Sequence, residues 1–188
     1  IQDAIMDAGL LDETMEFDPE PSKYKTQKHP ALEFRIKYQD PPISGYGDAM
    51  LNYKGNTILG EIKTMPHEAF EYRKMSCKPK SGHLIQLLIY MKILNKNKSV
   101  LIYENKNNHE LLIFPVELNE YMYQWVENTF EWMRTVRKAW EDKTLPTKNY
   151  RSNSKICKTC PIREACDNAG LGEIKINSLE PLDEKQAL

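Results

Sequence analysis

The sequence predicts one α/β domain, a mixed β-sheet core flanked by helices, and its apolar patterning carries that expectation. Residues 57–62 read as an apolar strand, and 100–104 with 110–116 read as a strand pair joined by the turn-rich Asn105-Lys106-Asn107-Asn108. Residues 83–94 form a helical run. Residues 119–142 form a longer one, in which Met122, Trp125, Thr129, Trp132, Met133, Val136 and Trp140 make an apolar stripe that reads as core packing. A chain of 188 residues can bury a sizeable core in one domain.

In chain order, the first element is a helix near residues 1–8. It has no N-cap, carries Ile1, Ile5 and Met6 at helical spacing and closes at Gly9, as if its start lay upstream. A strand near 33–38 follows, then a hairpin centred on Lys54-Gly55, a loop or short helix at 66–77, and the helix of 83–94. Leu145-Pro146 ends the long helix. The expected organisation is a core over 1–150, a cysteine-bearing segment over 151–172 packed on it, and a polar tail over 173–188. The sequence has no repeat, apolar run of membrane-spanning length or low-complexity linker.

The hairpin carries the chemistry. Centred on Lys54-Gly55, it places positions whose numbers sum to 109 opposite each other, so Asp48 lies across from Glu61 at about 5 Å between Cβ atoms. Lys63 projects from the same face as Glu61. Two opposed carboxylates repel, and a divalent cation between them turns that cost into a binding site. The plainer reading is a solvated edge on which Lys63 neutralises two acids. Against it stand the apolar strand that carries the triplet and a second pair, Gln86 and Tyr90, four residues apart on one helix face, while Leu87, Leu88 and Met91 point into the core. A hard cation on two carboxylates would stabilise charge on a phosphoryl oxygen and help activate water, with the Ile62 carbonyl as a natural further ligand. Lys63 is a compact charge able to polarise that water or neutralise the phosphate.

At these residues the chain resembles the PD-(D/E)XK nuclease superfamily, in particular its RecB-like branch, which includes CRISPR-associated spacer-acquisition nucleases and phage recombination exonucleases. The resemblance rests on Asp48, Glu61-Ile62-Lys63, Gln86 and Tyr90 and covers roughly residues 1–166. It implies a restriction-endonuclease-like fold and a metal-dependent deoxyribonuclease. In that branch the acid pair holds Mg²⁺ or Mn²⁺, the lysine positions or activates water, and the Gln/Tyr pair orients the strand. It further implies an exonuclease of recombination, repair or phage DNA processing, acting on DNA with single-stranded ends in a prokaryotic or phage-infected cytoplasm, with a helicase or recombinase among its possible partners. A first-helix histidine that serves as a metal ligand in the branch has no counterpart here before His29. His29, His67 and His83 are candidate substrate contacts, with surface histidine as the plainer reading of each.

Cys157, Cys160 and Cys166 fall within ten residues. With no apparent signal peptide, the spacing favours a metal site over a disulfide framework. Their C-x2-C-x5-C spacing, with Pro161 after the second cysteine, resembles the carboxy-terminal cluster of iron–sulfur members of the same branch. That implies a [4Fe-4S] cluster with a fourth thiolate. The only other cysteine is Cys77, between the catalytic strand and the Gln/Tyr helix. Cys77 supplies that ligand, or a group beyond the displayed residues does, or the centre is Zn²⁺ on three cysteines and a histidine.

A net charge of −1 argues against a generally basic nucleic-acid coat. Basic residues nonetheless cluster near both sites: Lys23, Lys25, Lys28, Arg73, Lys74, Lys78 and Lys80, then Lys148, Arg151, Lys155 and Lys158. Lys78, Lys80, Arg151 and Lys155 are the leading candidates for phosphate contacts. A rival expectation keeps the fold but makes the chain a catalytically silent nucleic-acid-binding or assembly subunit, and another makes it a zinc-stabilised scaffold.

Overall fold

Lys54 and Gly55 both adopt positive φ, 49° and 75°, as a two-residue turn matched to the twist of a hairpin requires. The strands they join, β3 and β4 below, set the geometry of the rest. The computed structural model describes residues 1–12, 33–144, 150–161 and 163–168. Within them the elements are α1 (Gln2–Asp7), β1 (Phe34–Tyr38), β2 (Ile43–Gly47), β3 (Ala49–Tyr53), β4 (Asn56–Met65), α2 (His67–Ser76), α3 (Ser81–Ile93), β5 (Lys98–Asn105), β6 (Leu111–Glu117), α4 (Glu120–Glu141), α5 (Lys155–Lys158) and α6 (Arg163–Asn168).

The fold is α/β, with a mixed four-stranded sheet in the order β3-β4-β5-β6 flanked by helices. β3 and β4 pair antiparallel, β4 and β5 parallel, and β5 and β6 antiparallel. A parallel neighbour cannot be reached by a tight turn, so α2 and α3 carry the chain from β4 to β5. The stretch expected as a loop or short helix at 66–77 is therefore a full helix, closed by Cys77 in the left-handed conformation at φ 52°.

One sheet face is dry. β4 presents Leu59, Glu61, Lys63 and Met65 to it, and the parallel register sets Ser99, Leu101, Tyr103 and Asn105 of β5 beside them. Leu84, Leu87, Leu88 and Met91 of α3 are buried in one cluster with Leu59, Leu101, Tyr103 and Phe114. Burying such side chains contributes about 1.5–3 kcal/mol each.

α4 covers α3 through Met122, Trp125, Val126 and Phe130, all buried. Asn119 caps the helix, its side chain accepting from the Met122 N–H at 2.8 Å. Here the expected stripe is corrected. Val126 and Phe130 belong to the core face, Met133 packs on its margin, and Trp140 is 78% exposed. The helix runs 22 residues and outlasts the core, so its last turns keep the stripe's spacing without a surface to cover.

β1 and β2 form a separate two-stranded sheet, a pairing that the sequence reading did not contain. Phe34 and Ile36 bury one face of β1, and Tyr38 packs on Phe130 with ring centroids 5.3 Å apart. Arg134 of α4 fixes the connecting turn, donating to Asp40 Oδ2 at 2.8 Å and to the Asp40 carbonyl at 2.9 Å. The hairpin delivers the chain to Asp48 from a fixed direction. Among the described residues no helix is long and apolar enough to cross a membrane.

Candidate active site

Asp48 occupies the bend between β2 and β3. The ladder that follows pairs Ala49 with Gly60, Met50 with Leu59 and Tyr53 with Asn56, so one further step sets Asp48 against Glu61. The Ile62 N–H donates to Asp48 Oδ2 at 2.7 Å, which ties this carboxylate to the central strand. Lys63 forms an ion pair with Glu61 Oε1 and lies 3.9 Å from Asp48 Oδ2. Both acids and the ammonium thus meet at one end of the dry face.

Their environments are unequal. The Asp48 side chain keeps 21% exposure, whereas the Glu61 side chain has none. Glu61 Oε2 is buried without a hydrogen-bond partner among the described residues. Burial pushes both carboxyl groups above their ordinary values, further than the Ile62 N–H and Lys63 pull Asp48 down, or Lys63 pulls Glu61 down. An orphaned carboxylate oxygen in a dry site is costly, and a cation relieves that cost.

Tyr90 reaches the same neighbourhood from α3. A Cβ on Gly45 of β2 would lie 2.3 Å from the Tyr90 hydroxyl oxygen, so only glycine lets that hydroxyl come so close to the strand that leads to Asp48. Gln86, one turn earlier on α3, is half-buried and makes no hydrogen bond among the described residues. Tyr90 therefore faces the strand before the acid pair, with Gln86 on the same helix face.

A second layer was not anticipated. Tyr103 is Lys63's partner across the parallel ladder, so the two side chains stand side by side on the dry face. Its buried hydroxyl accepts the Lys80 N–H at 2.9 Å and lies 3.1 Å from His83 Nδ1. Burial, then the charges of Lys80, Lys63 and Arg73, lower the His83 pKa to about 4. The imidazole is thus neutral near neutral pH, and the tautomer that satisfies the buried phenol is the one in which Nδ1 accepts its proton. His67 starts α2, where its Nδ1 lies 3.0 Å from the Asn105 amide nitrogen. Tyr103 carries no local sequence signal, because parallel pairing across some forty residues leaves none.

The cysteines are free thiols. Cys157 and Cys160 share one turn, the Cys160 N–H donating to the Cys157 carbonyl at 3.3 Å, and Cys166 lies on α6. Cys77 is exposed at the end of α2, its thiol 3.5 Å from the Lys74 carbonyl. Among the described residues no three His, Cys, Asp or Glu side chains converge as an ion site. Among the described residues the three thiols and Cys77 form no such group, and the acid pair offers two carboxylates. Among the described residues α5 and α6 share few contacts with the sheet or the long helices. Lys80 is exposed and Lys78 half-buried beside the acid pair's end of α3, whereas Arg151 and Lys155 are exposed in the cysteine segment. His29, Lys23, Lys25, Lys28 and Lys148 lie outside the described residues.

No protein-family model matches the chain, and no curated protein is significantly similar to it. Among solved structures, the crystal structure of SSO0001 is similar at 22% identity with a TM-score of 0.36, over 70% of this chain and 58% of that one. The chain spans less than two thirds of the length of that protein.

Proposed function

We propose that the chain is a divalent-metal-dependent deoxyribonuclease that hydrolyses phosphodiester bonds, acting as an exonuclease in recombination, repair or phage DNA processing. The observation that carries the reading is Glu61 Oε2, buried without a partner beside a second carboxylate whose pKa is also raised. The acid pair offers oxygen donors, the set that suits Mg²⁺ or Mn²⁺, with Asp48, Glu61 and the Ile62 carbonyl as ligands and water or phosphate oxygens completing the sphere. Bound there, the cation would supply positive charge against the phosphoryl oxygens and make water a better nucleophile.

The chain's own residues supply the rest. The Ile62 N–H holds Asp48 in place, and burial keeps bulk water from Glu61. Lys63, a quarter exposed, stands at the mouth of the pair, where its ammonium can turn from Glu61 to the attacking water or a phosphate oxygen. Tyr90, set against Gly45 on the strand that leads to Asp48, and Gln86 on the same helix face serve to orient the strand. The resemblance drawn from the sequence motifs supports this assignment of roles, and it alone supports DNA as the polymer. The iron–sulfur centre, with zinc as its alternative, remains a proposal from cysteine spacing, tested by iron, sulfide and zinc analysis of anaerobically purified protein.

The test is incubation with end-labelled single- and double-stranded DNA, with and without Mn²⁺. Cation-dependent shortening from an end is expected. Asp48→Ala and Glu61→Ala should each lower the rate by about a thousandfold or more, since a metal clamp supplies several kcal/mol at about 1.36 kcal/mol per tenfold. Equal cleavage by parent and variants would overturn the reading. DNA binding without cleavage would favour the silent binding subunit.

A further inference from the structure

Four polar groups converge beside the acid pair without belonging to it. Tyr103 is the hinge of the arrangement. Its phenol oxygen accepts from the Lys80 backbone and sits against His83 Nδ1, which docks the start of α3 and the turn before it onto β5 next to Lys63. Arg73 of α2 donates to the Pro79 carbonyl at 3.4 Å, and this links α2 to the same turn.

The proton count leaves one ring nitrogen without a partner among the described residues. With the Lys80 N–H already on the Tyr103 oxygen, the tautomer that satisfies the buried hydroxyl puts the phenol proton on Nδ1 and the proton of the neutral ring on Nε2. Nε2 has no hydrogen-bond partner among the described residues. Lys80, Lys63 and Arg73 all lie close enough to His83 to disfavour its protonation. A neutral donor with three cations in its neighbourhood is suited to an anion, because it adds a hydrogen bond without adding a charge that the cations would oppose.

We propose that His83 Nε2–H, Lys80 and Arg73, with Lys63 on the inner side, form an anion subsite that takes the phosphate next to the scissile one on the bound strand. The subsite rests on the nuclease reading for the identity of its ligand as a nucleic-acid phosphate. It makes the acid pair address one linkage while the neighbouring phosphate fixes the strand's register along the sheet end.

The experiment is a binding and cleavage scan of the full chain. The probes are short oligothymidylates in which one methylphosphonate, an uncharged linkage, is moved a position at a time. Neutralising one linkage adjacent to the cut should weaken binding by the parent about tenfold, equivalent to about 1.4 kcal/mol. In Lys80→Ala and in His83→Phe the same neutralisation should have little further effect, while His83→Gln, which keeps a donor near Nε2, should restore most of the sensitivity. Lys80 is exposed, so its variant keeps the fold even if a His83 replacement does not. Equal sensitivity of parent and Lys80→Ala at every position would overturn the subsite, even if cleavage proceeds. The position-dependent loss without any cleavage would leave the subsite standing and remove the nuclease reading. Failure to bind the unmodified strand would remove both.

Discussion

Glu61 spends its whole side chain inside the covered face of β4, where Leu101 lies beside it and Lys63 is its ion-pair partner. Buried carboxylates normally have every oxygen satisfied, because each unmade hydrogen bond costs about 1–3 kcal/mol. Burial raises the pKa of Glu61 above 4.5 and that of Asp48 above 3.8, which fixes the sign of a pH effect. The folded, metal-free chain binds these protons more tightly than the unfolded one. Stability tied to them is therefore present at low pH and lost as pH rises through the raised values. Glu61→Gln removes the charge and keeps the shape, so in chelator it should be at least as stable as the parent at neutral pH. That advantage should fade as pH falls toward 4.5 and the parent's own carboxyl takes up its proton. Urea denaturation at neutral and acidic pH reads the difference. A variant less stable at neutral pH would mean that the Lys63 ion pair outweighs desolvation. None of this was readable from the amino acids as such: the sequence placed the acids opposite each other, but burial of one and not the other depends on how far β4 runs beneath α3.

At the scale of elements, the β3–β4 hairpin was the most legible part of the fold. Lys54-Gly55 tolerates the positive φ values of its turn, and a two-residue turn fixes the register of everything that follows. The helices of 83–94 and 119–142 were legible from apolar spacing, and their observed limits, Ser81–Ile93 and Glu120–Glu141, differ by two residues or fewer. β2 was not, since Ile43-Ser44-Gly45-Tyr46-Gly47 has two glycines and a serine where a half-buried strand would alternate. Its composition follows from its neighbour instead: Gly45 exists to admit the Tyr90 hydroxyl. Gly45→Ala places a Cβ 2.3 Å from that oxygen and should cost about 1–3 kcal/mol as an overpacked contact. Tyr90→Phe removes the oxygen, so the double variant should lose less than the sum of the singles. Additive losses in a denaturation cycle would show that α3 and β2 do not meet through this pair.

For the whole molecule, the core and the site draw on the same sheet face with opposite demands. α3 and α4 dry the face to hold the strands together, and the dryness that helps Leu59, Leu101 and Tyr103 penalises the carboxylates at its end. A ligand that binds the folded acid pair and not the unfolded chain must then stabilise the entire domain, by about 2.7 kcal/mol at a hundred times its dissociation constant. For a chain of 188 residues this corresponds to a rise in melting temperature of about 5–10 °C. Mn²⁺ titrated into chelator-treated protein should produce that rise in the parent and a much smaller one in Glu61→Gln, which keeps the fold but loses one ligand charge. Differential scanning calorimetry measures both without reference to any substrate. An equal rise in the two proteins would place the cation elsewhere, with the thiols of Cys157, Cys160 and Cys166 as the next site to test by substitution, and the acid pair would then need another explanation for its buried, unpartnered oxygen.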